Sequence, residues 1–172
     1  RDENVTKRFL DFVGDLPLVA HNAAFDISFI EAAVEKYGLR KFDNTVVDTM
    51  GLARVMYPEW KNHKLSTLVK NLDVEWDEDK HHRADYDAEG TALVFAKMIK
   101  KLDSLNFETI KSLDKLVSKD EIHKFGRTYH FNAIALTQQG LKKLFEIISL
   151  ANTVYIYKTP RILRSKLNEL RE

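Results

Sequence analysis

The chain has 172 residues, of which 44% are hydrophobic and 31% charged, an ordinary composition for a soluble globular protein. Its 27 Lys and Arg residues nearly balance 26 Asp and Glu residues, so net charge neither indicates nor excludes nucleic-acid binding. The absence of cysteine excludes disulfides, thiolate nucleophiles and cysteine-ligated zinc. Since the sequence also shows no signal peptide and no bilayer-spanning apolar run, we expect a cytoplasmic protein without membrane partners.

The first part of the chain alternates between helical and strand-like patterns. A helical pattern at 5–13 ends at Gly14. A short buried strand is predicted at 16–20, and a loop at 21–23 leads into a helix at 24–37. The elements expected next are a strand at 45–47, a helix from 49 to about 57, a helix at 64–72, an acidic loop at 73–80 and a long helix at 84–102. This alternation predicts an α/β fold.

Two of these helices are expected to turn a defined apolar face to the core. In the helix at 24–37 the face comprises Phe25, Phe29, Ile30, Ala33, Val34 and Tyr37. In the helix at 84–102 it comprises Ala84, Ala88, Thr91, Ala92, Phe95, Ile99 and Leu102. Residues at this spacing share one side of a helix.

The pattern changes after about Asp103. Residues 104–126 are polar with sparse leucines and predict a linker that contains a connecting helix. The elements expected after it are a strand at 128–136, a helix at 140–149, a strand at 154–157 and a basic last element at 161–171. We therefore place a first domain at 1–103 and a second segment at 127–172.

Two clusters contain the residues best suited to chemistry. The first is HNAAFD at 21–26, where a strand ends and Asp26 falls in the first turn of a helix. The second is HRADYD at 82–87. On one continuous helix His82 and Asp87 would point about 140° apart, so they face one cleft only if the helix begins between them.

Each of these residues also has an ordinary structural explanation. Asp26 and Asp87 complement a helix dipole, Asn22 suits a turn, and His82 suits a solvated loop. Singly, none of them indicates a site. Their order along an α/β frame does.

In this order the clusters resemble the DEDDh, or DnaQ-like, exonuclease superfamily. Its second motif places an Asp after N-x-x-F, as Asp26 stands here, and its third places a His and an Asp five residues apart, as His82 and Asp87 stand. The resemblance covers residue 1 to about 103 and implies a ribonuclease H-like fold with 3′–5′ exonuclease activity. It further implies that Asp26 and Asp87 are metal ligands and that His82 is the general base.

The residue types suit this reaction. Two Mg²⁺ or Mn²⁺ ions roughly 3.5–4 Å apart neutralise charge on the phosphate and lower the pKa of a bound water. Carboxylate oxygens are the ligands that such hard ions prefer, and a neutral imidazole such as His82 can accept the water's proton near neutral pH. Asn22 and Phe25 are expected to bind substrate, by shaping the pocket or by holding the terminal nucleotide.

The family's first motif, an Asp-x-Glu on the first strand of the sheet, has no counterpart ahead of Asp26. The stretch DVE at 73–75 has the right letters but lies between the second and third motifs, so its order is wrong. We therefore expect the chain to be N-terminally incomplete, to lack the first strands of the fold and to be inactive, or nearly so, by itself. An unpaired sheet edge is then expected to be exposed.

The rest of the chain resembles the region after the exonuclease in PolC-type DNA polymerase III alpha chains. The stretches that carry this resemblance are TYH at 128–130, GLKKLF at 140–145, ISL at 148–150 and TPRI at 159–162, with YPEWKNHKL at 57–65 and HHRA at 81–84 in the exonuclease part. Leu163 departs from it, since a proline is expected there. The resemblance implies that 127–172 is a small α/β segment of a polymerase-and-histidinol-phosphatase (PHP) domain, resumed after the exonuclease. The partners it implies are the single-stranded 3′ end of DNA, the rest of the polymerase polypeptide and replisome proteins.

Three alternatives stay open on the sequence. A free-standing ribonuclease of the same superfamily would leave residues 104–172 unexplained. A degenerate, non-catalytic exonuclease fold would serve as a binding module, and an Asp-x-Glu upstream of Arg1 would distinguish the enzyme from it. Residues 127–172 also fit an ordinary α/β appendage, and His130 receives no role.

Overall fold

The structure is a computed structural model that describes residues 2–75, 84–106, 109, 113, 115–118, 121–126 and 128–171. Within those residues, no helix is both long and apolar enough to cross a membrane. The chain divides into two compact units between Leu116 and Val117, a position inside the expected linker at 104–126.

The first unit alternates helices and strands in the predicted order. Its elements are α1 (Glu3–Val13), β1 (Leu18–Ala20), α2 (Ala24–Tyr37), β2 (Val46–Asp48), α3 (Thr49–Met56), α4 (Leu65–Asn71) and α5 (Ala84–Ser104). β1 and β2 pair in parallel, with Leu18 opposite Val46 and Ala20 opposite Asp48. A parallel pair needs a crossover connection, and α2 lies within it. The described part of this unit is therefore α-rich, with a two-stranded parallel sheet.

Local signals set the ends of these helices. Asp2 caps α1 by accepting from the backbone N–H of Asn4, and Asp48 caps α3 by accepting from the backbone N–H of Met50, each over 2.9 Å. Gly38 ends α2 with a φ of 61°, a left-handed conformation that glycine adopts without strain. The predicted boundaries of the five helices differ from the observed ones by no more than about two residues.

The hydrophobic core of this unit lies in two clusters. The larger joins α3, α4 and α5 and buries Leu52, Ala53, Tyr57, Leu65, Leu68, Val69, Val94, Met98 and Leu102. The smaller joins α1, α2 and the segment before β2 and buries Leu10, Val34 and Phe42. The larger cluster therefore anchors α5, whose first turn carries Asp87, and the smaller anchors α2, whose first turn carries Asp26.

The buried face of α5 differs from the predicted one. Thr91 and Leu102 are buried as expected, and Val94 and Met98 are fully buried although they were not expected to be. The residues of the predicted face that are exposed instead are Ala84, Ala88, Ala92 and Ile99. Because burying a Val or Met side chain removes more apolar area from water than burying an alanine, the larger residues decide which face packs.

The second unit is helical in its described residues and contains α6 (Ile122–Phe125), α7 (Gln138–Thr153) and α8 (Arg164–Arg171). The strands predicted at 128–136 and 154–157 are wrong, since neither forms in the described residues; near the second lies a bridge between Tyr157 and Thr159. A strand is stabilised by cross-strand partners, and the large apolar side chains at 128–136 are exposed rather than packed against one. The described residues of 127–172 therefore do not form the α/β segment that was expected.

Candidate active site

The two strands of the first unit end at the same edge of the sheet, because they run parallel. β1 continues into a turn at 21–23 and then α2, and β2 continues directly into α3. We call residues 20–23 and 48–50 the carboxyl edge. In open α/β sheets, ligands bind outside the carboxyl ends of the strands. This edge is therefore where the fold leads us to look for chemistry.

Side chains link the two strands beyond their last backbone pair. The His21 Nδ1 atom lies 2.9 Å from the Thr49 Oγ1 atom, and the Thr49 hydroxyl donates to the Ala20 carbonyl oxygen over 3.3 Å. One residue further, the Asn22 backbone N–H donates to Asp48 Oδ1 over 2.9 Å. Thr49 is fully buried, so these partners take the place of water around its hydroxyl. The carboxyl edge is thus a hydrogen-bonded unit.

The sequence analysis assigned no role in the site to His21, Thr49 or Asp48. The contact of His21 with Thr49 joins residues 28 positions apart, and the bond from Asn22 to Asp48 joins residues 26 positions apart, so no local pattern shows them. The available signal was indirect: each residue stands at or just after the end of a predicted strand, and adjacent parallel strands end side by side.

His21 is held neutral by its surroundings. Burial lowers its pKa below the usual value of 6.5, and Arg54 acts more weakly in the same direction. Asp48, the His63 backbone and Asp87 raise this pKa, but they do not outweigh burial. The buried Nε2 atom makes no well-formed hydrogen bond within the described residues, although the His63 backbone is close enough to raise this pKa. The imidazole of His21 is therefore neutral, and the charge of Asp87 is close enough to affect its pKa.

Asp87 lies in the first turn of α5, with its side chain half-buried. α5 contacts β1, and the charge of Asp87 acts on His21, which places the start of α5 beside the carboxyl edge. The Thr91 hydroxyl donates to the Asp87 carbonyl oxygen over 2.8 Å, and Thr91 is buried, so this turn is anchored. The structure therefore brings Asp87 to the edge, and its role as a metal ligand stays a prediction.

Asp26 lies in the first turn of α2, and its side chain is exposed. The turn at 21–23 runs into this helix without a break, since the Phe25 N–H donates to the Asn22 carbonyl and the Ile27 N–H to the Ala23 carbonyl. Asp26 is thus carried by a helix that starts directly from the carboxyl edge.

The carboxylates of Asp26 and Asp87 are ligands of the type that a divalent metal ion prefers, but two of them are too few to form the expected site. Both offer the oxygen donors that Mg²⁺ and Mn²⁺ prefer. Within the part of the chain that the structure describes, however, no group of three or more His, Cys, Asp or Glu side chains is placed to hold a metal ion. The described residues therefore supply at most part of the expected coordination.

His82, the predicted general base, lies outside the described residues. The same holds for its neighbours in the stretch 76–83, which includes the end of the acidic loop. The requirement that His82 and Asp87 face one cleft therefore stays a prediction.

Asn22 and Phe25 are both exposed at the start of α2. Asn22 has a φ of 61°, a left-handed conformation that Asn adopts more readily than most residues. Phe25 is 60% exposed and packs edge to face on Phe29, which is also exposed, with 4.9 Å between ring centroids. The prediction that the rings of Phe25 and Phe29 face the core is therefore wrong. An exposed aromatic ring next to Asp26 offers a face on which a nucleobase can stack.

Residues 1–95 match the protein family described as Exonuclease (RNase_T), and the chain belongs to this family. Membership implies a ribonuclease H-like fold, in keeping with the parallel strands and the crossover helix of the first unit. The resemblance of the two clusters to an exonuclease family is thereby confirmed.

The chain is also similar to large bacterial polymerases. It is 46% identical over 171 residues to DNA polymerase III PolC-type from Listeria welshimeri serovar 6b. The identity is 40% over 170 residues for the protein of that name from Bacillus subtilis (strain 168), and 41% over 170 residues for the one from Staphylococcus aureus. The matches cover 98% to 99% of this chain, which spans about 12% of the length of these curated relatives. The resemblance to PolC-type polymerases predicted from the sequence is confirmed.

Proposed function

We propose that this chain forms part of a proofreading 3′–5′ exonuclease within a replicative DNA polymerase. Its substrate is the single-stranded 3′ end of DNA, from which terminal nucleotides are hydrolysed, and its partners are the rest of the polymerase polypeptide and replisome proteins. The observation that carries the proposal is that HNAAFD at 21–26 starts at the carboxyl edge and that the first turn of α5, with Asp87, lies beside this edge. Family membership supports the nuclease activity, and the similarity to PolC-type polymerases supports the setting.

Three side chains have roles in this proposal. Asp26 and Asp87 bind Mg²⁺ or Mn²⁺ in a two-metal site, together with the Asp and Glu of an Asp-x-Glu motif outside these 172 residues. Bound ions of this kind neutralise charge on the phosphate and lower the pKa of a bound water. His82 accepts the proton of the attacking water. The assignment is supported by the oxygen donors of Asp26 and Asp87 and by their motif spacing in an exonuclease.

Asn22 and Phe25 bind the terminal nucleotide. The exposed Phe25 ring is available for base stacking, which contributes about 1–3 kcal/mol per base at such contacts. The turn at Asn22 is held through its backbone N–H, so the side-chain amide is not needed for that restraint and can serve the substrate. Both residues precede Asp26 by no more than four positions, so they can contact a nucleotide bound next to it.

The 172 residues by themselves are inactive or nearly so. No Asp-x-Glu precedes Asp26 in this chain, and the described residues do not assemble three metal-binding side chains. Two carboxylates bind two divalent ions too weakly to hold them at the spacing that the reaction needs.

The chain is organised in three parts in this proposal. Residues 1–103 are the exonuclease part, 104–126 are a linker and 127–172 belong to a resumed PHP-like domain. The support is that the exonuclease match ends at residue 95, whereas the similarity to the polymerases continues over nearly the whole chain. The same continuation favours a polymerase over a free-standing ribonuclease.

The test is a 3′ exonuclease assay on the full-length polypeptide, with a 3′-labelled single-stranded oligodeoxynucleotide as substrate. Asp26→Ala, Asp87→Ala and His82→Ala are each expected to reduce hydrolysis to background. Asp43→Ala is the matched control, because Asp43 is an exposed acid in the loop before β2, and it should retain the wild-type rate. Retained activity in any of the three variants removes that residue from the site.

Two further outcomes of this assay are decisive. Hydrolysis by the 172-residue chain alone, lost on Asp87→Ala, would contradict the proposed inactivity of the isolated chain. A full-length wild-type protein that binds the oligodeoxynucleotide without hydrolysing it would instead identify a non-catalytic binding module.

A further inference from the structure

One oxygen atom of Asp48 serves two elements of the fold. Asp48 Oδ1 accepts from the backbone N–H of Met50, which caps α3, and from the backbone N–H of Asn22, each over 2.9 Å. Both bonds have a carboxylate acceptor, which makes them stronger than bonds between neutral groups. A single side chain therefore fixes the start of α3 and the turn after β1 together.

The bond to Asn22 is not explained by helix capping. A cap needs only the N–H groups at the start of its own helix, whereas Asn22 precedes Asp48 by 26 residues and follows the other strand. Asn22 has a φ of 61°, a left-handed conformation that Asn adopts more readily than most residues but does not adopt exclusively. The bond to Asp48 holds the backbone in this conformation.

The start of α2 depends on this turn, because the helix has no side-chain cap of its own. Its N-cap residue is Ala23, whose methyl group cannot accept a hydrogen bond. The Asn22 carbonyl instead accepts from the Phe25 N–H, which joins the turn directly to the first helical turn. The direction in which α2 leaves the sheet, and with it the placement of Asp26, therefore follows from the conformation at Asn22.

We propose that Asp48 is a positioning residue for the exonuclease reaction, which sets the placement of Asp26 by holding the turn at Asn22. This inference rests on the proposed function, because the placement of Asp26 affects hydrolysis only in an exonuclease. Asp48 acts through its acceptor oxygen, so an amide at the same position should substitute for it, whereas a shorter acceptor should not.

Two substitutions separate this role from helix capping. Asp48→Ser keeps a favoured N-cap residue for α3, but its hydroxyl is one atom shorter and does not reach the Asn22 N–H. Asp48→Asn keeps an oxygen at the Oδ1 position and can accept from both N–H groups. Asp43→Ala serves again as the control for loss of an acid near the sheet.

The first readout is the steady-state hydrolysis of a single-stranded oligodeoxynucleotide by the full-length polypeptide. Asp48→Ser is expected to lower kcat by about 10- to 100-fold with little change in KM, since a small misplacement of a reacting group acts mainly on the transition state. Asp48→Asn should recover kcat to within about threefold of wild type, because its oxygen restores both bonds in a weaker, neutral form. A wild-type kcat in Asp48→Ser, or a loss that Asp48→Asn shares in full, overturns the proposal.

The second readout does not depend on activity. Hydrogen exchange measured by mass spectrometry should become faster in peptides that span 20–28 in Asp48→Ser, and should return toward wild type in Asp48→Asn. Unchanged exchange in the part of α5 that carries the buried Val94, Met98 and Leu102 shows that each variant keeps the fold of the first unit. Unchanged exchange at 20–28 in Asp48→Ser overturns the restraint on the turn. An inactive wild-type protein defeats the proposed function, whereas an active one with these exchange and kcat results supports both.

Discussion

Replacing Thr49 by valine removes one buried hydroxyl and keeps the shape of the side chain. Thr49 is fully buried, and its Oγ1 atom lies 2.9 Å from His21 Nδ1 and 3.3 Å from the Ala20 carbonyl oxygen. Valine fills the same volume, so no cavity forms. Because His21 Nε2 makes no well-formed hydrogen bond within the described residues, the variant removes the well-formed hydrogen bond that the imidazole has there. The substitution therefore tests the hydrogen bonds of the carboxyl edge.

The magnitude follows from the groups left unpaired. A distance of 3.3 Å is long for an O–H···O bond, so the contact with Ala20 contributes little. Loss of the shorter contact, between His21 Nδ1 and Thr49 Oγ1, leaves the Nδ1 atom without a partner, at a cost of roughly 1–3 kcal/mol. We expect the opening free energy of this edge to fall by about 2 kcal/mol, which corresponds to about a 30-fold rise in the opening equilibrium. Thr49→Ser keeps the hydroxyl and loses a methyl group, for about 1 kcal/mol or about fivefold.

Hydrogen exchange of β1 in the full-length polypeptide measures this change. The Leu18 N–H donates to the Thr45 carbonyl over 2.9 Å, so its exchange reports separation of the two strands. Exchange of peptides that cover 16–20 should be about 30-fold faster in Thr49→Val and about fivefold faster in Thr49→Ser. Equal exchange in wild type and Thr49→Val, or equal effects of the two substitutions, would refute a stabilising role for the hydroxyl.

Two further predictions concern the core and the charge of the edge. Met98→Ala should lower the unfolding free energy by about 2–5 kcal/mol, and Ile99→Ala, its exposed neighbour, by less than about 1 kcal/mol; equal losses in urea unfolding would contradict the assigned face of α5. The lowered pKa of His21 means that the unfolded state binds more protons below about pH 6.5, so stability falls as pH decreases through this range. His21→Gln should reduce the shift of the urea midpoint between about pH 7.5 and 5.5, and an unchanged shift would count against a buried neutral imidazole.

The helices of the first unit could be predicted because their limits are set locally. Gly38 ends α2 because glycine adopts the left-handed conformation freely. Asp48 caps α3 by accepting from the backbone N–H of Met50, only two residues away. The buried face of α5 was harder, since alanines fit either side and the choice depends on the size of Val94 and Met98 against α3 and α4. The strands expected at 128–136 and 154–157 failed for a non-local reason: an alternating pattern forms a strand only where a partner is available.

The motifs of the candidate site could be predicted from the sequence, but the hydrogen bonds that join its residues could not. The spacing of Asn22 and Asp26 was visible because one turn and one helix carry them. The bonds from His21 to Thr49 and from Asn22 to Asp48 depend on the pairing of two strands, which no single segment shows. The candidate residues could thus be predicted from their types and spacing, whereas the hydrogen bonds that hold them in place could be seen only in the tertiary structure.

The central claim, that Asp87 belongs to a proofreading exonuclease site, is tested most directly by one isosteric substitution. Asp87→Asn keeps the size of the side chain in the first turn of α5 and removes its charge. The measurement is the rate at which the full-length polypeptide releases the 3′-terminal nucleotide from a single-stranded oligodeoxynucleotide in Mg²⁺. We expect release by the wild-type protein and none above background by Asp87→Asn with a normal exchange profile. Release by Asp87→Asn at the wild-type rate would contradict the account.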